Sequence, residues 1–359
     1  MPIDINDIPL QYRNKVDELS RHITFDEIKT KGANGFVICG HNNLLGRHVA
    51  VKFYYWGDGA HVEPAHLSRL EHDAILKVDH AEAINEDDAY FITRYCEGGD
   101  LDDYIAVENI GLRSALSIVL SIASGVSYLH GNSYVHRDLK PSNIFVRDDG
   151  KYVVGDFGSV VALVDNVHAQ SLTKHSIIYR PPEDFDGNVF YKEGDIYQIG
   201  IVLYQLLGGF FPYDEDDWLK AKEIVDRDKL DRYDAQIFAN GIIENRIKKG
   251  RILDFSSLPF FVPPKVIRII KRACHIERSK RYSSVSDLMT ELNNTHQRAV
   301  DWCFEDGFWV AKGKKRSFRC FEVDGNVVVE KNLRGAWRRD NSIKAKNLRD
   351  AASEVCDML

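Results

Sequence analysis

Eight consecutive residues, His136-Arg137-Asp138-Leu139-Lys140-Pro141-Ser142-Asn143, constrain this chain more than any other feature. They bring an imidazole, two cations, a carboxylate and a carboxamide into one short segment. Upstream, Leu112 to His130 carries apolar residues at Leu116, Val119, Leu120, Ala123 and Val126, close to the period of a buried helix. Downstream, Ile144-Phe145-Val146 reads as an apolar strand. Polar residues in a run are usually a solvated loop. Fastened between a core helix and a core strand, these are instead held at fixed positions on the edge of the interior. Thirteen residues beyond Asn143, Gly155-Asp156-Phe157-Gly158 sets another carboxylate at the end of the strand Tyr152-Val153-Val154.

The chemistry that needs such a set is phosphoryl transfer to a hydroxyl. An aspartate orients the hydroxyl and accepts its proton, a cation faces the developing phosphate charge, and oxygen ligands hold Mg²⁺. Two upstream segments fit the same demand. Thr30-Lys31-Gly32-Ala33-Asn34-Gly35-Phe36-Val37 places glycines between two strands, where backbone amides can approach phosphate oxygens. Alone, Gly-Ala-Asn-Gly is equally an ordinary hairpin turn. Val49-Ala50-Val51-Lys52 ends an alternating strand on a lysine, which alone is a solvated edge residue and after a glycine turn is within reach of a triphosphate.

Together these four segments resemble the eukaryotic-type serine/threonine protein kinase family, over roughly residues 23–297. The resemblance implies an α+β, two-lobed kinase fold with a β-rich N-lobe and an α-rich C-lobe. It implies ATP as phosphoryl donor, Mg²⁺ as cofactor, a protein Ser or Thr hydroxyl as acceptor, and autophosphorylation. Carried over residue by residue, Asp138 is the catalytic base and Lys140 its phosphate-contacting neighbour. Lys52 grips the phosphates, positioned by Glu63 with Glu71 as the alternative, while Asn143 and Asp156 are the metal ligands. Gly32 and Gly35 form the cradle; Thr30 replaces the family's first glycine. The adenine pocket falls to Val37, Ala50, Thr93, Arg94, Cys96 and Phe145, with Asp100 near the ribose. Adenine would be held by backbone groups near Arg94 and Cys96. Tyr179-Arg180-Pro181-Pro182-Glu183 stands at the family's Ala-Pro-Glu element, with Arg281 as the partner of Glu183. Ser171 and Thr173 are the candidate phosphosites of the activation loop, and Arg137 the cation that would receive such a phosphate. Lys140-Pro141-Ser142-Asn143 resembles the serine/threonine-specific form. Two other classes compete: a catalytically dead scaffold, opposed by the intact Lys52, Asp138, Asn143 and Asp156, and a small-molecule phosphotransferase, opposed by the complete 179–183 element.

The chain divides into an N-terminal extension at 1–21, a kinase domain at 22–298 (N-lobe 22–95, C-lobe 96–298) and a small module at 299–359. Residues 36–39, 48–53 and 89–93 read as strands and 64–70 as a short helix. The stretch 214–257 is longer than the family usually allows and reads as a solvated helical insertion. In the module, 307–311, 317–323 and 326–330 read as strands and 347–358 as a helix, a β-β-β-α unit. The net charge of −7 is uneven: 1–298 sums to −9 and 299–359 to +2, with +8 concentrated in 311–349. Aromatics interleave those cations; the first reading is a small folded module whose aromatics form its core and whose lysines keep it soluble, with an acidic protein partner, the kinase lobe itself or nucleic acid as the alternative ligands. The six cysteines have no CxxC spacing and read as free thiols. The N-terminus lacks a signal-peptide pattern, and the apolar run from Ile196 to Phe211 is broken by Gln and Gly and reads as a buried helix. No membrane partner and a cytoplasmic location are the resulting expectations.

Overall fold

Alternation along Arg47–Tyr55 sends Val49, Val51 and Phe53 to one face and Ala50, Lys52 and Tyr54 to the other, which makes this strand the organiser of the small lobe. The computed structural model describes residues 3–29, 35–56, 64–170, 176–187, 189–333 and 335–359. Two 3₁₀ turns, Ile5–Asp7 and Leu10–Tyr12, lead into α1 (Arg13–Leu19). An antiparallel sheet follows: β1 (Ile23–Lys29), β2 (Phe36–Asn42), β3 (Arg47–Tyr55), β4 (Val78–Ala83) and β5 (Asp88–Arg94), in the order β1-β2-β3-β5-β4. The short α2 (Pro64–Leu67) lies between β3 and β4, opening on the proline as a first-turn proline must and burying Leu67 completely. The helix ends three residues before the expected Leu70. One sheet face faces the cleft. The other is covered by Ile8, Tyr12 and Val16 of the lead-in.

The large lobe begins at α3 (Leu101–Val107), capped by the Asp100 carboxylate on the amides of Asp102 and Asp103 at 3.0 and 2.9 Å. α4 (Leu112–Gly131) leads to β6 (Tyr134–Val135), then β7 (Ile144–Val146) and β8 (Tyr152–Val154), which pair with each other; β9 (Val161–Ala162) returns to β6. β10 (His168–Gln170), α5 (Asp184–Gly187) and β11 (Val189–Tyr191) precede α6 (Lys192–Leu206), with β10 and β11 paired. From Gly194 to Leu206 every residue of α6 is buried, as the sequence predicts for this apolar run. Among the described residues one helix, α4, is long and apolar enough to cross a membrane, and it packs within the lobe against α6 and α10. The insertion is helical: α7 (Ala221–Arg227) and α8 (Arg232–Lys248), followed by α9 (Pro264–Ala273) and α10 (Val285–His296).

The C-terminal module corrects its expected β-β-β-α form. It is a five-stranded meander, β12 (Asp301–Glu305), β13 (Phe308–Lys312), β14 (Ser317–Val323), β15 (Asn326–Leu333) and β16 (Ala336–Arg339), closed by α11 (Leu348–Met358). The two unforeseen strands, Asp-Trp-Cys-Phe-Glu and Ala-Trp-Arg-Arg, are edge strands whose charges mask the alternation. The module is docked on the large lobe. Trp302 is 0% exposed, stacked on Phe261 at 5.7 Å and 20° and edge-on to Phe260. Its carbonyl abuts Gly111, where a Cβ would come within 1.8 Å, so only glycine fits there.

Candidate active site

The register of β2, β3 and β5 sets Val37 opposite Lys52 and Ala50 opposite Thr93, so these four side chains share the cleft face. Phe145, on β7, comes from the large lobe and is half-buried. Thr93 is buried. Arg94 turns outward to an ion pair with Asp148 at 2.6 Å. Cys96 is buried, and desolvation pushes its thiol up to about 11. Both side chains line a cavity of about 780 Å³ behind the linker between the lobes, together with Arg47, His72, Leu76 and Asp148. That cavity is lined by none of Val37, Ala50, Lys52 and Thr93, so the Arg94 and Cys96 side chains lie apart from the cleft face those four share. Asp100 is engaged as the cap of α3, and burial raises its carboxyl pKa. Gly35 adopts φ +132°, a conformation an L side chain resists, and a Cβ there would strike the Phe53 carbonyl at 2.3 Å. Gly32, Glu63, Ser171 and Thr173 lie outside the described residues.

The segment His136 to Asn143 is locked from beneath. Asp195, in α6, is 0% exposed and accepts from the His136 and Arg137 amides, each at 2.9 Å, and pairs with His130 Nε2 at 2.7 Å. Gln198, one turn on, accepts from the Leu139 amide at 2.9 Å and donates to the Arg137 carbonyl at 2.7 Å. His136 Nε2 meets the Gly155 carbonyl at 2.9 Å, tying the segment to the Asp156 turn. Arg137 is buried with Nε donating to the Ser159 carbonyl at 2.7 Å. Arg137 and Asp156 hold φ of +70° and +56°, strained for non-glycine residues and characteristic of sites over-determined by their surroundings.

This scaffold brings the candidate residues together. Asp138 is fully buried at the base of the cleft, and its Oδ2 receives Lys140 Nζ and Asn143 Nδ2, both at 2.9 Å. Asn143 Nδ2 also donates to the Asp138 carbonyl at 2.6 Å, so the oxygen end of the carboxamide is what it can offer a cation. Lys52 of the small lobe forms an ion pair with Asp156 of the large lobe, bridging the cleft. Among the described residues no three His, Cys, Asp or Glu side chains converge on one point. Two oxygen ligands completed by phosphates and water is the arrangement Mg²⁺ favours, and Asn143 with Asp156 has that chemistry. Behind the cleft, Arg281 grips Glu183 bidentately at 2.8 and 2.7 Å. His130 and Gln198 were not foreseen; the available signal was a polar residue inside an otherwise apolar helix, which needs a buried partner.

A two-lobed fold with a bridging lysine, a caged aspartate and a carboxamide beside it is the arrangement of the protein kinase class. The protein kinase domain model matches residues 28–295, and the chain belongs to that family. It is similar to serine/threonine-protein kinase PrkC of Bacillus subtilis, 36% identical over 183 residues, which is 48% of this chain and 28% of that protein. A probable serine/threonine-protein kinase of Clostridium acetobutylicum is 27% identical over 296 residues, 79% of this chain and 41% of that protein. Maternal embryonic leucine zipper kinase of Danio rerio is 29% identical over 227 residues, 60% of this chain and 33% of that protein. The chain thus spans well under half the length of these relatives.

Proposed function

We propose that the chain is an active serine/threonine protein kinase that moves the γ-phosphoryl group of ATP to protein hydroxyls and to itself. The observation that carries this is the Lys52–Asp156 ion pair closing the cleft over the Asp138–Lys140–Asn143 cluster. Asp138 orients the acceptor hydroxyl and takes its proton as the new O–P bond forms and the bond to the β–γ bridging oxygen breaks, releasing ADP. Lys140, beside that carboxylate, meets the developing negative charge, and Lys52 steadies the phosphates with Glu63 behind it. Asn143 and Asp156 hold Mg²⁺, which when bound neutralises phosphate charge. Gly32 and Gly35 cradle the phosphates; Val37, Ala50, Thr93, Phe145 and the backbone of Arg94 and Cys96 enclose adenine, with Asp100 toward the ribose.

The test is transfer from γ-labelled ATP to a peptide library, to aminoglycosides and to the chain itself. Wild type should label peptide and self, while Asp138→Asn and Lys52→Ala should fall at least a hundredfold. Equal incorporation by wild type and Asp138→Asn sinks the mechanism, and labelling confined to small molecules supports the competing phosphotransferase. Mass spectrometry of the labelled chain should find Ser171 or Thr173.

We assign the C-terminal module to an acidic protein partner. Lys314, Lys315, Arg338, Arg339, Lys344 and Lys346 are exposed. The aromatics are engaged elsewhere: Phe308 and Trp337 pack on the Arg319 guanidinium at 4.3 and 4.6 Å. Charge without a stacking platform favours an acidic peptide over single-stranded nucleic acid. A salt-sensitive gel shift with oligonucleotides, and none with an acidic peptide, reverses that assignment. The domain division at residues 21 and 298 and a cytoplasmic setting belong to the same reading, supported by six unpaired cysteines.

A further inference from the structure

We propose that the N-terminal segment, through Tyr12, positions the β2–β3 pair that carries Val37 and Lys52 and so sets nucleotide affinity; this rests on the nucleotide site proposed above. Tyr12 precedes the first strand of the fold, yet it is only 7% exposed. Its ring lies 4.7 Å from Phe53 at 26° and 6.2 Å from Phe36 at 24°. Phe36 and Phe53 face each other directly across β2 and β3, 6.1 Å apart. The three rings form one cluster on the outer side of the sheet.

The inner side of the same four residues is the nucleotide face. Val37 follows Phe36, Lys52 precedes Phe53, and these two are also cross-strand partners. Side chains alternate across a strand, so pressure on Phe36 and Phe53 from outside fixes the backbone that aims Val37 and Lys52 inward. Gly35 closes on the same point, its Cα facing the Phe53 carbonyl too closely for any Cβ. The last glycine of the loop, the phosphate-gripping lysine and the N-terminal segment therefore share Phe53.

Tyr12 is also pinned at its far end. Its hydroxyl donates to Asp88 at 3.2 Å, and Asp88 opposes Tyr55 at the end of β3. Tyr12 thus spans from the root of the loop to the outer end of the β3–β5 pair. It touches no reacting group in this geometry and acts as a positioning residue.

The experiment uses the full chain and Tyr12→Ala, Tyr12→Leu and Tyr12→Phe. It reads the Kd of a non-hydrolysable ATP analogue with Mg²⁺, the KM for ATP and for peptide, kcat and the melting temperature. Loss of the ring interactions should weaken nucleotide binding about 2- to 10-fold, with peptide KM and kcat at saturating ATP held within twofold. Tyr12→Phe keeps the rings and loses only the Asp88 bond, so its affinity should lie between wild type and Tyr12→Leu. Tyr12→Leu keeps apolar bulk without a ring, and it carries the test if the alanine variant does not fold. Unchanged analogue affinity in Tyr12→Leu, or parallel losses in peptide KM and kcat, overturns the proposal alone. A wild type that binds no analogue overturns the nucleotide-site reading first, and this one with it.

Discussion

Replacing Asp195 by Asn removes one charge and almost no volume, so it isolates what the buried carboxylate does for the catalytic segment. The carboxylate serves three donors with two oxygens: Oδ1 takes the Arg137 amide, while Oδ2 takes the His136 amide and His130 Nε2. A carboxamide has one oxygen. Turned to keep His136 and His130, it sets its NH₂ against the Arg137 N–H, donor to donor, in a site with no water access. An orphaned buried donor costs about 1–3 kcal/mol, and the loss of charge assistance on the remaining bonds brings the total to about 2–4 kcal/mol. That corresponds to a drop of roughly 4–16 °C in Tm for a lobe of this size. The amide left without its acceptor belongs to the residue held at φ +70°. Released, Arg137 relaxes toward an ordinary conformation and carries Asp138 with it. Activity should therefore fall as well as stability: kcat down at least tenfold, measured 15 °C below the variant's own Tm so that unfolding does not contribute, with urea denaturation giving the stability change. A Tm loss of the expected size with wild-type kcat would refute the link from this tether to catalysis.

Other outcomes follow from the same geometry. Arg281→Met strands the Glu183 carboxylate and should cost about 3–5 kcal/mol, whereas pairing it with Glu183→Leu should recover part of that in a double-mutant cycle. Trp302→Ala empties the joint between module and lobe and should cost about 3–5 kcal/mol, with residues 299–359 becoming the first site of limited proteolysis. Thr93→Met fills the space behind adenine and should weaken bulky hinge-binding inhibitors while sparing ATP; unchanged inhibitor affinity would reject the assignment of Thr93. The Tyr90 hydroxyl, donating at 2.7 Å, holds the Glu82 carboxyl below its usual range, with Lys15 adding to it. A depressed folded pKa gives stability that is complete above the unfolded value of about 4.3 and is lost as pH falls through the folded one. Glu82→Gln should therefore flatten the acid limb of the Tm–pH curve below that value, and an unchanged limb counts against the pairing.

The clustering of Asp138, Lys140 and Asn143, the candidate catalytic residues, was legible because they lie within six consecutive positions. Covalent proximity did there what folding does elsewhere. The pairing of Glu183 with Arg281, 98 residues apart, was legible only through family resemblance, since no local pattern announces a long-range ion pair. β4, Val-Asp-His-Ala-Glu-Ala, escaped notice because an edge strand with one solvated face is mostly polar. The lead-in's role was hidden for a different reason. Ile8, Tyr12 and Val16 show a sparse apolar spacing, and what they cover is decided by the far side of a sheet that the sequence does not display. That Arg94 and Cys96 turn toward the cavity behind the linker was equally hidden, because strand ends free the chain from alternation just where the linker begins.

The helix α4 joins two of these features. Its N-cap, Gly111, is wedged against the carbonyl of Trp302, and His130, in its last turn, holds Asp195. Twenty residues at about 1.5 Å each make a rod of roughly 30 Å, and each residue advances the helix by about 100°. One inserted or deleted residue cannot be absorbed by lengthening alone. It rotates one end against the other by more than a quarter turn, so that either the module loses its seat or His130 swings away from α6. The two ends of α4 are in this sense phased, and its length is a dimension that sequence drift can change only in whole turns.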